Sequence, residues 1–226
     1  LIQPEAADKT AAAVGEWMRR YKVPAYDEAT GKGLVRHVYV RVNRKGESLC
    51  CVVINGRQAP REPELAAYVC AAVPHTAGVL VNSNTKRGNV ILGEKYRTLW
   101  GRDYLMDTLC GLEFKLSVPS FYQVNRDQAE ALYGKALDYA GLTGRETVLD
   151  LYCGIGTITL CLAKRAGRVI GAEIVPAAIR DAKENAARNH IENAEFFCGD
   201  AAETAARLEA EGLRPDVITV DPPRKG

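Results

Sequence analysis

Val148-Leu149-Asp150-Leu151-Tyr152-Cys153-Gly154-Ile155-Gly156-Thr157 reads as an apolar strand that runs into a glycine turn and opens a helix. Gly154 and Gly156 let the backbone approach a ligand closely, where the first amides of a helix beginning near Thr157 lack partners. An acid, Glu173, closes the next expected strand 19 residues after Gly154. From there a carboxylate can take two ribose hydroxyls. Around this stretch the spacing predicts a helix over 126–140 stopped by Gly141, strand 147–152, helix 156–166 and strand 168–173. Helix 176–189, strand 194–198, helix 200–211 and strand 216–220 follow. Four strands joined by crossover helices imply a parallel, doubly wound, Rossmann-like α/β sheet.

The ligand follows from the acids. A dinucleotide turn calls for G-x-G-x-x-G, and Thr159 stands at the third glycine's place. Asp150, just ahead of the turn, repels a pyrophosphate but suits a ligand carrying an ammonium and a sulfonium. Gly199-Asp200 ends the third strand, where a carboxylate or nearby amides can meet an adenine edge. Asp150, Glu173 and Asp200 thus fall at successive strand ends, the ligand side of open α/β sheets. Together they describe S-adenosylmethionine. An NAD-dependent oxidoreductase is the competing enzyme reading, which Asp150 and Thr159 oppose.

Residues 1–119 have a different grammar and are expected to form an α+β domain on an antiparallel sheet. The pattern predicts helices over 5–20 and 61–72, with strands at 34–42, 48–54, 78–83, 89–92, 96–100 and 112–118. His37, Tyr39 and Arg41 share one face of the first strand, with Arg44 just beyond. Aromatics that stack on splayed bases and cations that meet phosphates make this the candidate RNA patch, alongside an ordinary exposed sheet face. Charge leans the same way: residues 1–120 carry 17 Lys and Arg against 12 Asp and Glu, while residues 121–226 carry 13 against 16.

Composition sets outer limits. With 226 residues, 47% hydrophobic and 26% charged, the chain is neither disordered nor fibrous. No apolar run approaches the roughly 18 residues of a membrane helix, and residues 1–20 lack a signal-peptide pattern. Seven cysteines, odd in number and without a CxxC pair, suit reduced thiols in a cytoplasmic protein rather than a metal site. The chain starts at Leu1 and stops after Asp221-Pro222-Pro223-Arg224-Lys225-Gly226, so it is expected to be part of a longer protein.

That last stretch bears on the reaction. Enzymes that methylate an exocyclic amine put an aromatic after the two prolines, where this chain has Arg224. Arg224-Lys225 suits an RNA phosphate or a polar substrate. With Ser120-Phe121-Tyr122-Gln123-Val124-Asn125, the Leu149–Gly156 turn and the Asp-Pro-Pro run in view, the sequence resembles the RNA (uracil-5)-methyltransferase family, in its large-subunit (23S) ribosomal RNA branch.

The resemblance covers 120–226 throughout, as the first part of a methyltransferase domain, and 1–119 as the family's central domain. It implies that Gln123 reaches over the cofactor and that Tyr152 packs near its methionine portion. Glu173 would hold the ribose, Asp200 would lie near the adenine, and Asp221 near the methionine amino group, with Gly154 and Thr157 in the turn. It implies further that a cysteine attacks carbon 6 of uracil, so that carbon 5 accepts the methyl group before a base removes its proton. That cysteine and base would lie beyond Gly226, Cys153 being a packing residue, and this chain alone is expected to be inactive. A non-catalytic RNA-binding module with a degenerate cofactor fold is the alternative outside the enzymes.

Overall fold

The structure, a computed structural model, describes residues 3–222. The chain divides into two compact units, Leu1–Leu105 with Ser117–Pro119 and Met106–Leu116 with Ser120–Gly226.

The first unit contains α1 (Glu5–Tyr21), β1 (Val35–Val42), β2 (Ser48–Ile54), α2 (Glu62–Ala72), β3 (Thr76–Ser83) and β4 (Lys95–Gly101). Its sheet runs β1-β2-β3-β4. All seven residues of β2 are buried, as a central strand covered on both faces requires. Cys50, Val52, Ile54, Val79 and Val81 meet Val14 and Trp17 of α1 and Leu65 and Val69 of α2. Each large apolar side chain buried there contributes roughly 2 kcal/mol. The Trp17 indole N–H, buried with its ring, donates to the Arg61 carbonyl at 3.1 Å.

Two sequence expectations need correcting in this unit. The sheet is mixed rather than antiparallel, because β2 and β3 pair in parallel; α2 lies between them in sequence and supplies the crossover a parallel pair needs. Residues 89–92 form no strand. Side-chain amides satisfy this stretch instead: Asn84 Nδ2 donates to the carbonyls of Val90 at 2.6 Å and Ile91 at 3.0 Å.

The second unit opens with most of a hairpin that the sequence showed only in part, β5 (Tyr104–Leu109) and β6 (Leu112–Ser117). Cys110 and Gly111, with φ of 52° and 72°, make the two-residue turn that matches strand twist. The expected division at 119/120 therefore differs over residues 106–116, which group with the second unit. Side chains there capture the hairpin's free edge: Asn189 and Asn185 each accept a hydrogen bond at 2.8 Å, from the backbone N–H of Glu113 and Lys115 respectively.

Beyond Tyr122 come α3 (Arg126–Ala140), β7 (Thr147–Leu151), α4 (Thr157–Ala163), β8 (Arg168–Glu173), α5 (Pro176–Arg188), β9 (Ala194–Cys198), α6 (Ala201–Ala210) and β10 (Val217–Val220). The sheet order is β10-β7-β8-β9, every pair parallel. Val148 and Val169 pack with Leu162 of α4 and Leu137 of α3, whereas Leu149 and Ile170 pack with Leu208 of α6. Helices therefore cover both faces. Strand order reverses between β7 and β10, and the strand ends at such a reversal are where doubly wound sheets take their ligands.

Candidate cofactor site

The turn after β7 is built from residues in the left-handed region: Tyr152 (φ 67°), Gly154 (56°) and Gly156 (84°). Its two glycines serve different ends. A Cβ at Gly156 would press on the Phe196 ring at 3.2 Å, whereas a Cβ at Gly154 would meet no protein atom within 4 Å. Gly154 thus faces open space at the end of the sheet. Cys153 points the other way, buried beneath the turn, with its N–H bonded to the Ala172 carbonyl at 3.0 Å. Gly171 makes room for it, since a Cβ there would come within 2.9 Å of Cys153 Sγ. Burial pushes the Cys153 thiol up, with the charges of Asp150 and Glu173 adding to the shift, so the residue is suited to packing rather than attack.

Glu173 ends β8 beside this turn. Its Oε2 accepts from the Gly154 N–H at 3.2 Å and its Oε1 from the Val175 N–H at 2.9 Å. Two amides therefore orient the carboxylate while leaving lone pairs on both oxygens. Asp200 caps α6, accepting from the N–H groups of Ala202 at 2.9 Å and Glu203 at 3.2 Å. Tyr152 and Asp221 are exposed, and Gln123 is half-buried in the segment before α3. Phe121 and Val124 flank that glutamine at 72% and 89% exposure.

Asp150 departs from the expected picture of a carboxylate aimed at the ligand. It is 1% exposed, and its oxygens accept from the Thr159 hydroxyl and, at 2.8 Å, from the Thr219 hydroxyl. Burial raises its pKa to about 6 against the lowering effect of those hydroxyls, and the charge of Asp221 adds to the rise. Thr159, which replaces the dinucleotide glycine, is therefore a hydrogen-bond donor to Asp150. Thr157 opens α4 and exchanges a 3.0 Å hydrogen bond with the Tyr133 phenol of α3. Tyr133 and Thr219 carried no signal in the sequence, since their partners lie far along the chain.

In the first unit, His37, Tyr39 and Arg41 do share a face of β1 and all three are half-buried. Arg41 is spent internally: its Nη2 donates to the Val118 carbonyl at 3.2 Å, and its guanidinium lies 5.4 Å from the Tyr39 ring centroid. Arg36 bonds the carbonyls of Asn84 and Lys86. Arg44 and Lys45 are exposed in the turn beyond the strand. The Asp221-Pro222 run is seen to Pro222; Pro223, Arg224, Lys225 and Gly226 lie outside the described residues. Among the described residues, no group of three or more His, Cys, Asp or Glu is arranged to hold a metal ion, and no helix is long and apolar enough to cross a membrane.

Residues 142–221 match a family model described as a methyltransferase domain. With the strand order and turn above, the second unit has the class I, S-adenosylmethionine-dependent methyltransferase fold. Among curated proteins, the chain is 45% identical over its full length to an uncharacterized RNA methyltransferase of Halalkalibacterium halodurans, covering 50% of that protein. It is 42% identical to another of Clostridium acetobutylicum, covering 49%. The chain spans about half the length of the curated relatives it matches. A solved structure of similar fold is the Pyrococcus abyssi tRNA (uracil-54, C5)-methyltransferase in complex with S-adenosyl-L-homocysteine. Its TM-score is 0.74 at 23% identity, over 95% of this chain and 50% of that one.

Proposed function

We propose that the protein is an RNA methyltransferase that binds S-adenosylmethionine beside Gly154 and Glu173 and methylates carbon 5 of a uridine in 23S ribosomal RNA. The observation that carries the cofactor reading is the Glu173–Gly154 contact. A carboxylate already occupies a turn amide that a dinucleotide's pyrophosphate would need, and residues 150–157 carry no cation to offset it. A ligand with ribose hydroxyls and no phosphate fits these groups. S-adenosylmethionine, when bound, supplies an electrophilic methyl group on a sulfonium.

The chain's residues then divide the work. The free lone pairs of Glu173 take the ribose hydroxyls, while the open side of Gly154 admits the ligand against the backbone. Tyr152, Gln123 and Asp221 are proposed to surround its methionine end, with Thr157 holding the turn and Asp200 near the adenine. Asp150 acts from beneath, tying β7 to α4 and β10. For the RNA, Arg44 is proposed to meet phosphate, in a substrate-binding unit with His37, Tyr39 and Arg41 along its edge. The attacking cysteine and the base are proposed to lie in the part of the relatives' length that this chain does not span.

The names of the relatives support an RNA substrate, and the 120–125, 149–156 and 221–226 motifs support uracil carbon 5. The test is nucleoside analysis by mass spectrometry of undermodified ribosomal RNA and tRNA, each incubated with the full-length protein and S-adenosylmethionine. 5-Methyluridine gained in ribosomal RNA alone is the expected result. Gain in tRNA alone would move the substrate, and another methylated base would refute the uracil assignment.

A further inference from the structure

We infer that Tyr133 is a positioning residue for the cofactor turn: its phenol holds Thr157, and through Thr157 the stretch 154–157, in the arrangement that binds S-adenosylmethionine. This rests on the cofactor reading above and adds a residue to it.

The turn holds itself only in part, by a hydrogen bond from the Gly156 N–H to the Cys153 carbonyl at 2.9 Å, while Asn185 Nδ2 donates to the Ile155 carbonyl at 3.2 Å. Tyr152, Gly154 and Gly156 all occupy the left-handed region, where two glycines leave the backbone many alternatives. The helix that follows, α4, has only seven residues, and Gly156 at its N-cap supplies no side-chain hydrogen bond. A helix so short takes its order from tertiary anchors rather than from its own ladder. Two hydroxyls supply anchors near its start. Thr159 reaches Asp150 on β7, below the turn. Thr157, the residue that joins turn to helix, reaches Tyr133 on α3 with 3.0 Å between the oxygens.

The two partners on the second anchor differ in setting. Tyr133 is a buried side chain fixed by its own packing, whereas Thr157 is half-buried where the turn meets α4. Burial chiefly, with the charges of Asp150 and Asp221 nearby, raises the Tyr133 pKa. The phenol therefore keeps its proton at neutral pH and remains able to donate. If the phenolic oxygen is removed, the ring still fills its slot and the Thr157 hydroxyl can turn to water, so the fold loses little. The turn gains alternatives, and apparent affinity falls by the fraction of time it spends in the competent one.

The experiment measures binding of S-adenosylhomocysteine by calorimetry to the full-length protein and to Tyr133→Phe, Thr157→Val, Thr157→Ser and the Tyr133→Phe/Thr157→Val double variant, alongside thermal melts. The inference predicts that Tyr133→Phe and Thr157→Val each weaken binding by roughly fivefold, the equivalent of one net hydrogen bond. It predicts that the double variant is no weaker than either single, and that Thr157→Ser stays near wild type. Melting temperatures should stay within roughly 4 °C of wild type. In turnover, KM for the methyl donor should rise with kcat retained.

Unchanged affinity in Tyr133→Phe and Thr157→Val would overturn the inference and leave the cofactor reading standing. So would losses that add in the double variant, because the two hydroxyls would then act separately. Affinity losses matched by a large drop in melting temperature in Tyr133→Phe and Thr157→Ser alike would make the role merely structural. Wild-type protein that binds no S-adenosylhomocysteine would overturn both readings.

Discussion

The Thr219 hydroxyl on β10 donates to the buried carboxylate of Asp150 on β7 across 2.8 Å, bridging the two strands between which the order of the sheet reverses. The same carboxylate accepts from Thr159 on α4, so one acidic side chain joins three elements beneath the cofactor turn.

That buried acid predicts a pH dependence. Its folded pKa, about 6, lies above the ordinary carboxylate range, so its protonated form is the one that folding favours. Its contribution is fully present below the unfolded value and is lost as pH rises through about 6. A rise to about 6 corresponds to about 3 kcal/mol. Asp150→Asn keeps the shape, accepting from one threonine and donating to the other. The variant should therefore gain stability relative to wild type between pH 4 and pH 7.5, read from urea unfolding at each pH. Parallel pH profiles for the two proteins would contradict this.

Gly171→Ala is expected to destabilise the second unit by about 1–3 kcal/mol through overpacking, since its Cβ would press on Cys153 Sγ and the Phe196 ring at 2.9 Å each. Adding Cys153→Ala should return part of that loss. Melts of the two single variants and the pair measure it.

Cys153→Ala by itself should leave methyl transfer within a few-fold of wild type, because the thiol is buried, raised in pKa and packed against Gly171. Loss of all turnover with an intact melt would make it the nucleophile after all.

Glu173→Gln should weaken S-adenosylhomocysteine binding by roughly tenfold, about 1.4 kcal/mol. The substitution removes the charge from a group that two backbone amides orient, while its remaining oxygen keeps one of those bonds. Calorimetry on the full-length variant checks the figure.

Legibility from sequence followed the range of the interactions. The β7–β10 unit could be read residue by residue, because each strand, turn and helix there announces itself through local apolar spacing and glycine stops. β5 could not be read in the same way. Its inward positions are Leu105, Asp107 and Leu109, and the buried Asp107, paired with Arg126 at 2.9 Å, breaks the alternation. The direction of β3 was also hidden, since period-two patterning is the same for parallel and antiparallel strands. Glu173 and Gly154 stood out through motif spacing. Tyr133 and Thr219 did not, because hydrogen bonds spanning 24 and 69 positions leave no local trace. Arg41 and Asp150 were identified by side-chain type, but only the structure shows that each is spent on internal partners.

The central claim is methylation at uracil carbon 5 through a cysteine adduct. The most direct measurement incubates the full-length protein with S-adenosylmethionine and ribosomal RNA substituted with 5-fluorouracil, followed by a denaturing gel. Fluorine cannot leave carbon 5 as a proton does, so the enzyme should remain covalently attached and a slow-moving protein–RNA band should form only when the methyl donor is present. No band, with methyl label still entering unsubstituted RNA, would contradict the account and assign the methyl group to another atom.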